Sequence, residues 1–334
     1  MEHYGFTKIG QYKNVIKDVL YESNRDGVVP PTLKFTGTVK MHGSNAGISY
    51  IPGEHLSVQS RTRIVTPTDD NAGWANFVEE RKEAFETLME ALLVENSSKE
   101  AVHNYTPILF GEWCGGNIQK GIALNELPKM FVVFAVKYVN VNDPEDSYYA
   151  QTRVKDEEQL IFNILDFPMF EIEIDFNKPQ IAQNQIVQWV EQVEALCPVG
   201  KHFGVEGIGE GIVFSNYDEN GHRKHIFKAK GKKHSTCNVK TIAPVDLEKM
   251  KSIEEFTDYA FTENRCNQAI EQVFIGTNTE VDQKGTGNFI KWVVSDIIAE
   301  ETDTMTASNL TSKDIGKYVS KLAKNWFFTY IDQM

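Results

Sequence analysis

Lys40 stands in Thr38-Val39-Lys40-Met41-His42-Gly43-Ser44-Asn45, a lysine followed three positions later by glycine, between two runs of strand character. The spacing reads as a strand end, a tight turn and a new strand, which presents one amine at a loop tip where a ligand's phosphate can reach it. Lysines beside turns are usually solvated surface groups, so this one gains meaning only from company. Company recurs downstream at or beside strand-like runs: Arg61 after Val58-Gln59-Ser60, Glu112 after Leu109-Phe110-Gly111, Phe134 within an apolar run from Met130 to Val136, Glu210 before Gly211-Ile212-Val213, and Lys228 with Lys230 around Ala229. Each has a plain alternative. Phe134 in an apolar strand is core packing by default, Glu112 and Glu210 suit a solvated surface, and Arg61 suits an ordinary ion pair.

The elements that must position these residues are legible in outline. Residues 7–30 read as a helix and loop, with Val15, Val19 and Leu20 at helical spacing before Gly27 and Pro30-Pro31. From 33 to 62 the texture turns to β, a meander with Lys40 between its first two strands. Residues 69–94 read as one long amphipathic helix carrying Trp74, Val78, Phe85, Leu88, Met89 and Leu92. Buried strands follow at 108–112 and 130–136, a helix at 184–196, and strands at 208–215 and 224–230. Beyond residue 240 the β signal ends, and helices are expected at 246–260, 264–275, 288–301 and 312–331. A chain of 334 residues is long enough for two cores, so the composition shift and Pro244 predict domains at 1–240 and 241–334.

The chain carries a net charge of −13, which argues against a polyanionic partner. Its distribution argues the other way. Between Gly221 and Lys240 stand Arg223, Lys224, Lys228, Lys230, Lys232, Lys233 and Lys240 with no acidic residue, either a solvated basic face or a local phosphate site. Cys114, Cys197, Cys237 and Cys266 show no paired spacing and read as reduced thiols, with Cys114 a small buried hydrophobe rather than a nucleophile. No stretch approaches the ~20 apolar residues of a membrane span, and nothing at the start reads as a targeting signal, so a cytoplasmic location is expected. Gly207-Ile208-Gly209-Glu210-Gly211 precedes a strand instead of a helix, which disqualifies it as a dinucleotide-binding loop, and Gly231-Lys232-Lys233-His234-Ser235 lacks P-loop spacing.

In order and spacing, these stretches resemble the motifs of the covalent nucleotidyltransferases, the superfamily of polynucleotide ligases and mRNA capping enzymes. Lys40 to Gly43 is similar to motif I, Arg61 to motif Ia, Phe110 to Glu112 to motif III, Phe134 to motif IIIa, Glu210 to Val213 to motif IV, and Lys228 with Lys230 to motif V. His42, where DNA ligases usually carry an acidic residue, and the helical end of the chain resemble the phage-type RNA ligases of the RNA ligase 2 family and the related trypanosome editing ligases. Phe261-Thr262-Glu263-Asn264-Arg265 also resembles a stretch of that family's helical domain. Arg63, where close relatives carry glycine, and Trp113-Cys114-Gly115-Gly116 depart from the pattern near the RNA end.

The resemblance implies an α+β fold: a nucleotidyltransferase domain of ATP-grasp-like antiparallel sheets with flanking helices, then a small all-α RNA-binding domain. It implies an ATP-dependent RNA ligase that joins 3′-OH and 5′-phosphate ends through lysyl-AMP on Lys40 and AMP-RNA, and that seals nicks in duplex RNA as a monomer. Implied roles are adenine stacking for Phe134, ribose contact for Glu112, nucleotide or 5′-phosphate contact for Arg61, and phosphate grip for Lys228 and Lys230. Val39 joins the nucleotide site, His42 acts after lysine adenylylation, and Glu210 and Glu112 attend Mg2+ or Mn2+. The attacking lysine must be neutral, which neighbouring cations such as Lys228 and Lys230 would favour. A DNA ligase, a capping guanylyltransferase and a catalytically silent RNA-binding protein of the same fold are the alternatives.

Overall fold

The computed structural model describes residues 3–50, 56–97, 105–116, 118–119, 121–231, 247–275 and 279–334. Contacts divide the chain into two compact units, one of Met1–Val15, Leu33–Glu173 and Asn184–Ala243, the other of Ile16–Thr32, Ile174–Gln183 and Pro244–Met334. The expected boundary near 240 and the basic residues Lys232, Lys233 and Lys240 lie outside the described residues.

The first unit is built on two sheets. One has the order β1 (Gly10–Gln11), β11 (Arg223–Lys230), β10 (Gly211–Tyr217), β2 (Thr32–Val39), β9 (Met169–Asp175). The other runs β4 (Leu56–Ser60), β3 (Ser44–Tyr50), β5 (Tyr105–Cys114), β6 (Met130–Asn140), β7 (Ser147–Ala150), with β8 (Ile161–Asn163) parallel to β6. Within them β10 pairs antiparallel with β11 and β2, and β3, β5 and β6 form an antiparallel run. The period of two decides faces. Along β2, Phe35, Gly37 and Val39 are buried, while Thr36 and Thr38 take the other side.

Two helices cover the second sheet. The single helix expected over 69–94 is instead α2 (Trp74–Glu79) and α3 (Lys82–Ser97). The reason is local: Asp70 spends its carboxylate on the backbone N–H groups of Asn71, Ala75 and Asn76, and Ala72 and Gly73 adopt positive φ, so a turn occupies the expected first helical turn. Trp74, Phe77, Phe85, Met89 and Leu92 pack on Ile48, Leu109, Phe131 and Val133. The Trp74 ring lies 4.5 Å from Phe131 and 5.5 Å from Trp113. Burial of each such side chain stabilises by roughly 1.5–3 kcal/mol.

The second unit holds part of α1 (Tyr12–Asp26), the start of α4 (Pro179–Ala195), and the helices α6 (Leu247–Ala260), α7 (Glu263–Ile270), α8 (Thr286–Glu300), α9 (Thr302–Ala307) and α10 (Ser312–Asp332). α5 (Pro198–His202) belongs to the first unit. Beyond α7 the helix widens into a π-helical turn over Glu271–Ile275. Phe274, Phe289 and Phe327 stack at its core, and a capping box between Thr311 and Asp314 starts α10. Polar ties fasten α10 to the earlier segment of the same unit: Lys321 Nζ donates to the Phe176 carbonyl at 3.2 Å, and Gln180 Nε2 to Tyr318 Oη at 3.1 Å. No described helix is long and apolar enough to cross a membrane.

Candidate active site

Lys40 continues the alternation of β2, one step beyond buried Val39. Its N–H donates to the Gly211 carbonyl at 2.8 Å, so the last hydrogen bond of the β2–β10 pairing fixes its backbone. The residue before that glycine is Glu210, which is 2 % exposed. Its Oε2 accepts from Lys40 Nζ at 2.6 Å and lies 3.1 Å from His42 Nδ1, while Oε1 lies 2.5 Å from Lys230 Nζ. Lys230 arrives by register, because it pairs with Gly211 across β10 and β11. Burial alone would raise the Glu210 pKa. His42, Lys40 and Lys230 outweigh it and hold the carboxyl well below the usual carboxylate range. The charge nearest the Lys40 amine is therefore an anion, with Lys230 sharing that carboxylate and Lys228 within electrostatic reach of both lysines.

Glu112 lies on β5 opposite Asn45, and its Oε1 accepts the Gly43 N–H at 2.9 Å. That contact needs glycine: a Cβ on Gly43 would stand 2.3 Å from the Trp113 carbonyl oxygen. Burial pushes the Glu112 carboxyl up to about 7, against the pull of Lys40 and the Gly43 N–H. Two carboxylates that feel each other are thus driven in opposite directions, the pattern that separates protonation roles. Lys228, two places from Lys230 on the same face of β11, has its pKa lowered by burial first and then by Lys230 and Lys40.

One cavity of about 280 Å³ gathers Val39, Lys40, His42, Gly43, Arg61, Glu112, Phe134 and Lys228. Glu210 and Lys230 stand outside its lining and reach it through Lys40. Arg61 is exposed just past β4, and Phe134 is half-buried on β6. Two parts of the lining are absent from the sequence expectations: the N-terminal wall, Phe6, Thr7, Lys8 and Ile9, and Arg223. Phe6 meets Phe110, Phe134 and Tyr149 edge-on at 5.2, 5.0 and 5.2 Å. No periodicity marks that wall, since its order comes from long-range contacts: Tyr4 with Gln59, Thr7 with Tyr149, and Gly10 with Phe227. The basic run was the available signal for Arg223.

Among the described residues no three His, Cys, Asp or Glu side chains converge on a metal position. Glu112 and Glu210 are two carboxylates, and cations hold both oxygens of Glu210. Such a donor set fits magnesium or manganese carried in on phosphate oxygens and touching one or two carboxylates, not a protein-caged ion.

An amine held by a buried carboxylate at one end of a cavity, with aromatic walls at the other, suits a phosphate joined to a flat base. A family model described as RNA ligase matches residues 33–230, more than half of the chain, and this protein belongs to the RNA ligase family. A search of curated proteins found no match. Among solved structures, a Naegleria gruberi RNA ligase with PPi is 18 % identical over 69 % of this chain and 57 % of that one, with a TM-score of 0.42. A mutant of that ligase with AMP and Mn is 17 % identical, over 69 % and 57 %, at a TM-score of 0.43. Another mutant, with ATP and Mn, is 18 % identical, over 69 % and 57 %, at 0.42. This chain thus spans just over half the length of those proteins.

Proposed function

We propose that this protein is an ATP-dependent RNA ligase with Lys40 as its nucleophile. The observation that carries the reading is that Lys40, which lines the cavity, has its Nζ held by buried Glu210 behind it, within the stretch that matches the family. Lys40 Nζ, once deprotonated, attacks the α-phosphorus of ATP; the N–P bond forms, the P–O bond to the β-phosphate breaks, and pyrophosphate leaves. Glu210 orients the amine but is a weak base, so the proton passes to water. Lys228 and Lys230 offset the charge that grows on the phosphate oxygens. A divalent ion, when bound, adds Lewis-acid stabilisation, with Glu210 and Glu112 the residues that would hold it. Val39 and Phe134 flank the base, and Glu112 holds the ribose hydroxyls.

Adenylylation removes the charge of Lys40 and with it half of the hold on Glu210 Oε2. His42, on the same oxygen, then keeps that carboxylate in place while AMP moves to the RNA 5′-phosphate, near Arg61, and the 3′-OH displaces AMP. Residues 241–334 bind the RNA by phosphate contact and A-form shape, which suits repair of nicked duplexes. Labelled ATP should give an acid-labile protein-AMP adduct and sealed nicked RNA, and Lys40→Ala should give neither. AMP-RNA formed from ATP by Lys40→Ala would sink the assignment. A protein-GMP band without protein-AMP would favour a capping guanylyltransferase, and faster sealing of nicked DNA a DNA ligase.

A further inference from the structure

β10 and β11 pair residue for residue from Gly211↔Lys230 to Asn216↔His225, and then slip: the next pair is Tyr217↔Arg223. One step on β10 spans two on β11, a bulge that leaves Lys224 out of the ladder. Strict alternation from Lys230, Lys228 and Ile226 would send Lys224 to the cavity side. With the bulge, Arg223 takes that place and lines the cavity, while Lys224 is exposed and pairs with Asp218 at 3.1 Å.

Arg223 has an unusual seat. Its guanidinium carbon lies 3.9 Å from the centre of the Tyr149 ring and 5.0 Å from that of Phe6, the ring that in turn meets Phe134. The Thr7 N–H and hydroxyl both donate to Tyr149 Oη, at 3.1 and 3.0 Å, which fixes the ring beneath it. Among the described residues no carboxylate pairs with Arg223. Burial lowers its proton affinity, with Tyr217 and Tyr149 opposing. A guanidinium partly stripped of water and given no counterion has donors to spare. They are not needed for phosphate, because Lys40, Lys228 and Arg61 serve that part of the cavity.

We propose that Arg223 selects the base of the bound nucleotide, donating one N–H to the N1 ring nitrogen of adenine. The inference rests on the ATP-dependent reading above. N1 is the purine ring position whose role reverses between the two bases: it accepts in adenine and carries a hydrogen in guanine. An arginine there rewards ATP and meets GTP donor to donor, whereas at N7 it would also find O6 and favour guanine.

The test measures nucleotide transfer to Lys40 in the full chain with ATP, GTP, 1-deaza-ATP and 7-deaza-ATP. The wild type should show a KM for 1-deaza-ATP raised roughly 10- to 100-fold over ATP, the value of one hydrogen bond to a charged group, and little change for 7-deaza-ATP. Arg223→Met should raise the KM for ATP to that level, lose any further penalty for 1-deaza-ATP, and narrow the ATP-to-GTP preference; Arg223→Lys should fall between. A purely structural role for Arg223 would leave the 1-deaza penalty intact in Arg223→Met and overturn the proposal. So would equal KM values for ATP and 1-deaza-ATP in the wild type, a comparison that needs no variant to fold. No adduct from any nucleotide would overturn the ligase reading and this one with it; an adduct without the 1-deaza penalty overturns this one alone.

Discussion

The two ends of the cavity hold charge in opposite ways. At the Lys40 end, the cations Lys40 and Lys230, with His42, converge on one carboxylate, so each of these groups has a partner before any ligand arrives. At the Phe134 end, one guanidinium rests on aromatic rings, and among the described residues no carboxylate pairs with it. On the proposed reading the first arrangement is the reactive centre and the second a seat that the ligand completes. Chemistry and recognition are thus separable here, and substitutions at the two ends should fail differently.

The largest effect is expected at Lys40. Lys40→Ala removes the proposed nucleophile, and intact-mass measurement after ATP and magnesium should show no added AMP, while binding of ATP persists. Glu210→Gln comes next. It leaves Lys40, Lys230 and His42 around a neutral amide, so adduct formation should fall 100-fold or more and stability by about 1–3 kcal/mol, discounted because the lysines keep some solvent. The pH dependence has a definite sign. Glu210 is held below its unfolded-state pKa near 4.3, so its contribution is full above that value and lost as pH falls through the lower folded-state pKa. Urea unfolding at pH 3 to 5 should show that limb in the wild type and not in Glu210→Gln.

Glu112 should behave in the opposite sense. Its folded-state pKa of about 7 lies above the unfolded one, so its neutral form stabilises below pH ~4.3 and that contribution is lost as pH rises to 7. Glu112→Gln should therefore unfold at a higher temperature than the wild type at pH 8, by on the order of 1–3 kcal/mol, and by little at pH 4, while ATP affinity falls. A wild-type curve without this slope would mean that Glu112 is ionised throughout and that the two carboxylates are not driven apart.

The same division decides what could be read from sequence. Lys40, Glu112, Glu210, Lys228 and Lys230 each sit at or near a strand end, where a charged residue breaking an apolar run is a local signal, and the structure gathers them. Their ion pairing was not legible: the contact between Lys40 and Glu210 joins residues 170 apart and depends on the register of β2 with β10. The aromatic wall was less legible still, since Thr7 and Tyr149 are 142 apart and Phe6 belongs to no element. Arg223 reaches the cavity through a bulge that no alternation pattern announces. The helix expected over 69–94 failed for a related reason, since Asp70 offered the backbone a turn where apolar spacing continued.

The smallest effects should separate two phenylalanines in contact. Phe134 is half-buried and faces the cavity, so Phe134→Ala should act chiefly on the ligand; loss of one base-stacking partner, about 1–3 kcal/mol, raises the KM for ATP by roughly 5- to 100-fold. Phe6 makes edge-on contacts with Phe110, Phe134 and Tyr149 and supports the ring under Arg223. Phe6→Leu keeps apolar bulk but gives up those pairs, each about 0.5–1.5 kcal/mol, so thermal denaturation should come a few °C earlier. The KM for ATP should then move only a few-fold, and the ATP-to-GTP preference should narrow as the Tyr149 seat loosens. If Phe134→Ala lowered stability as much as Phe6→Leu and left the KM for ATP alone, Phe134 would be a core residue and the base would have to lie elsewhere in the cavity.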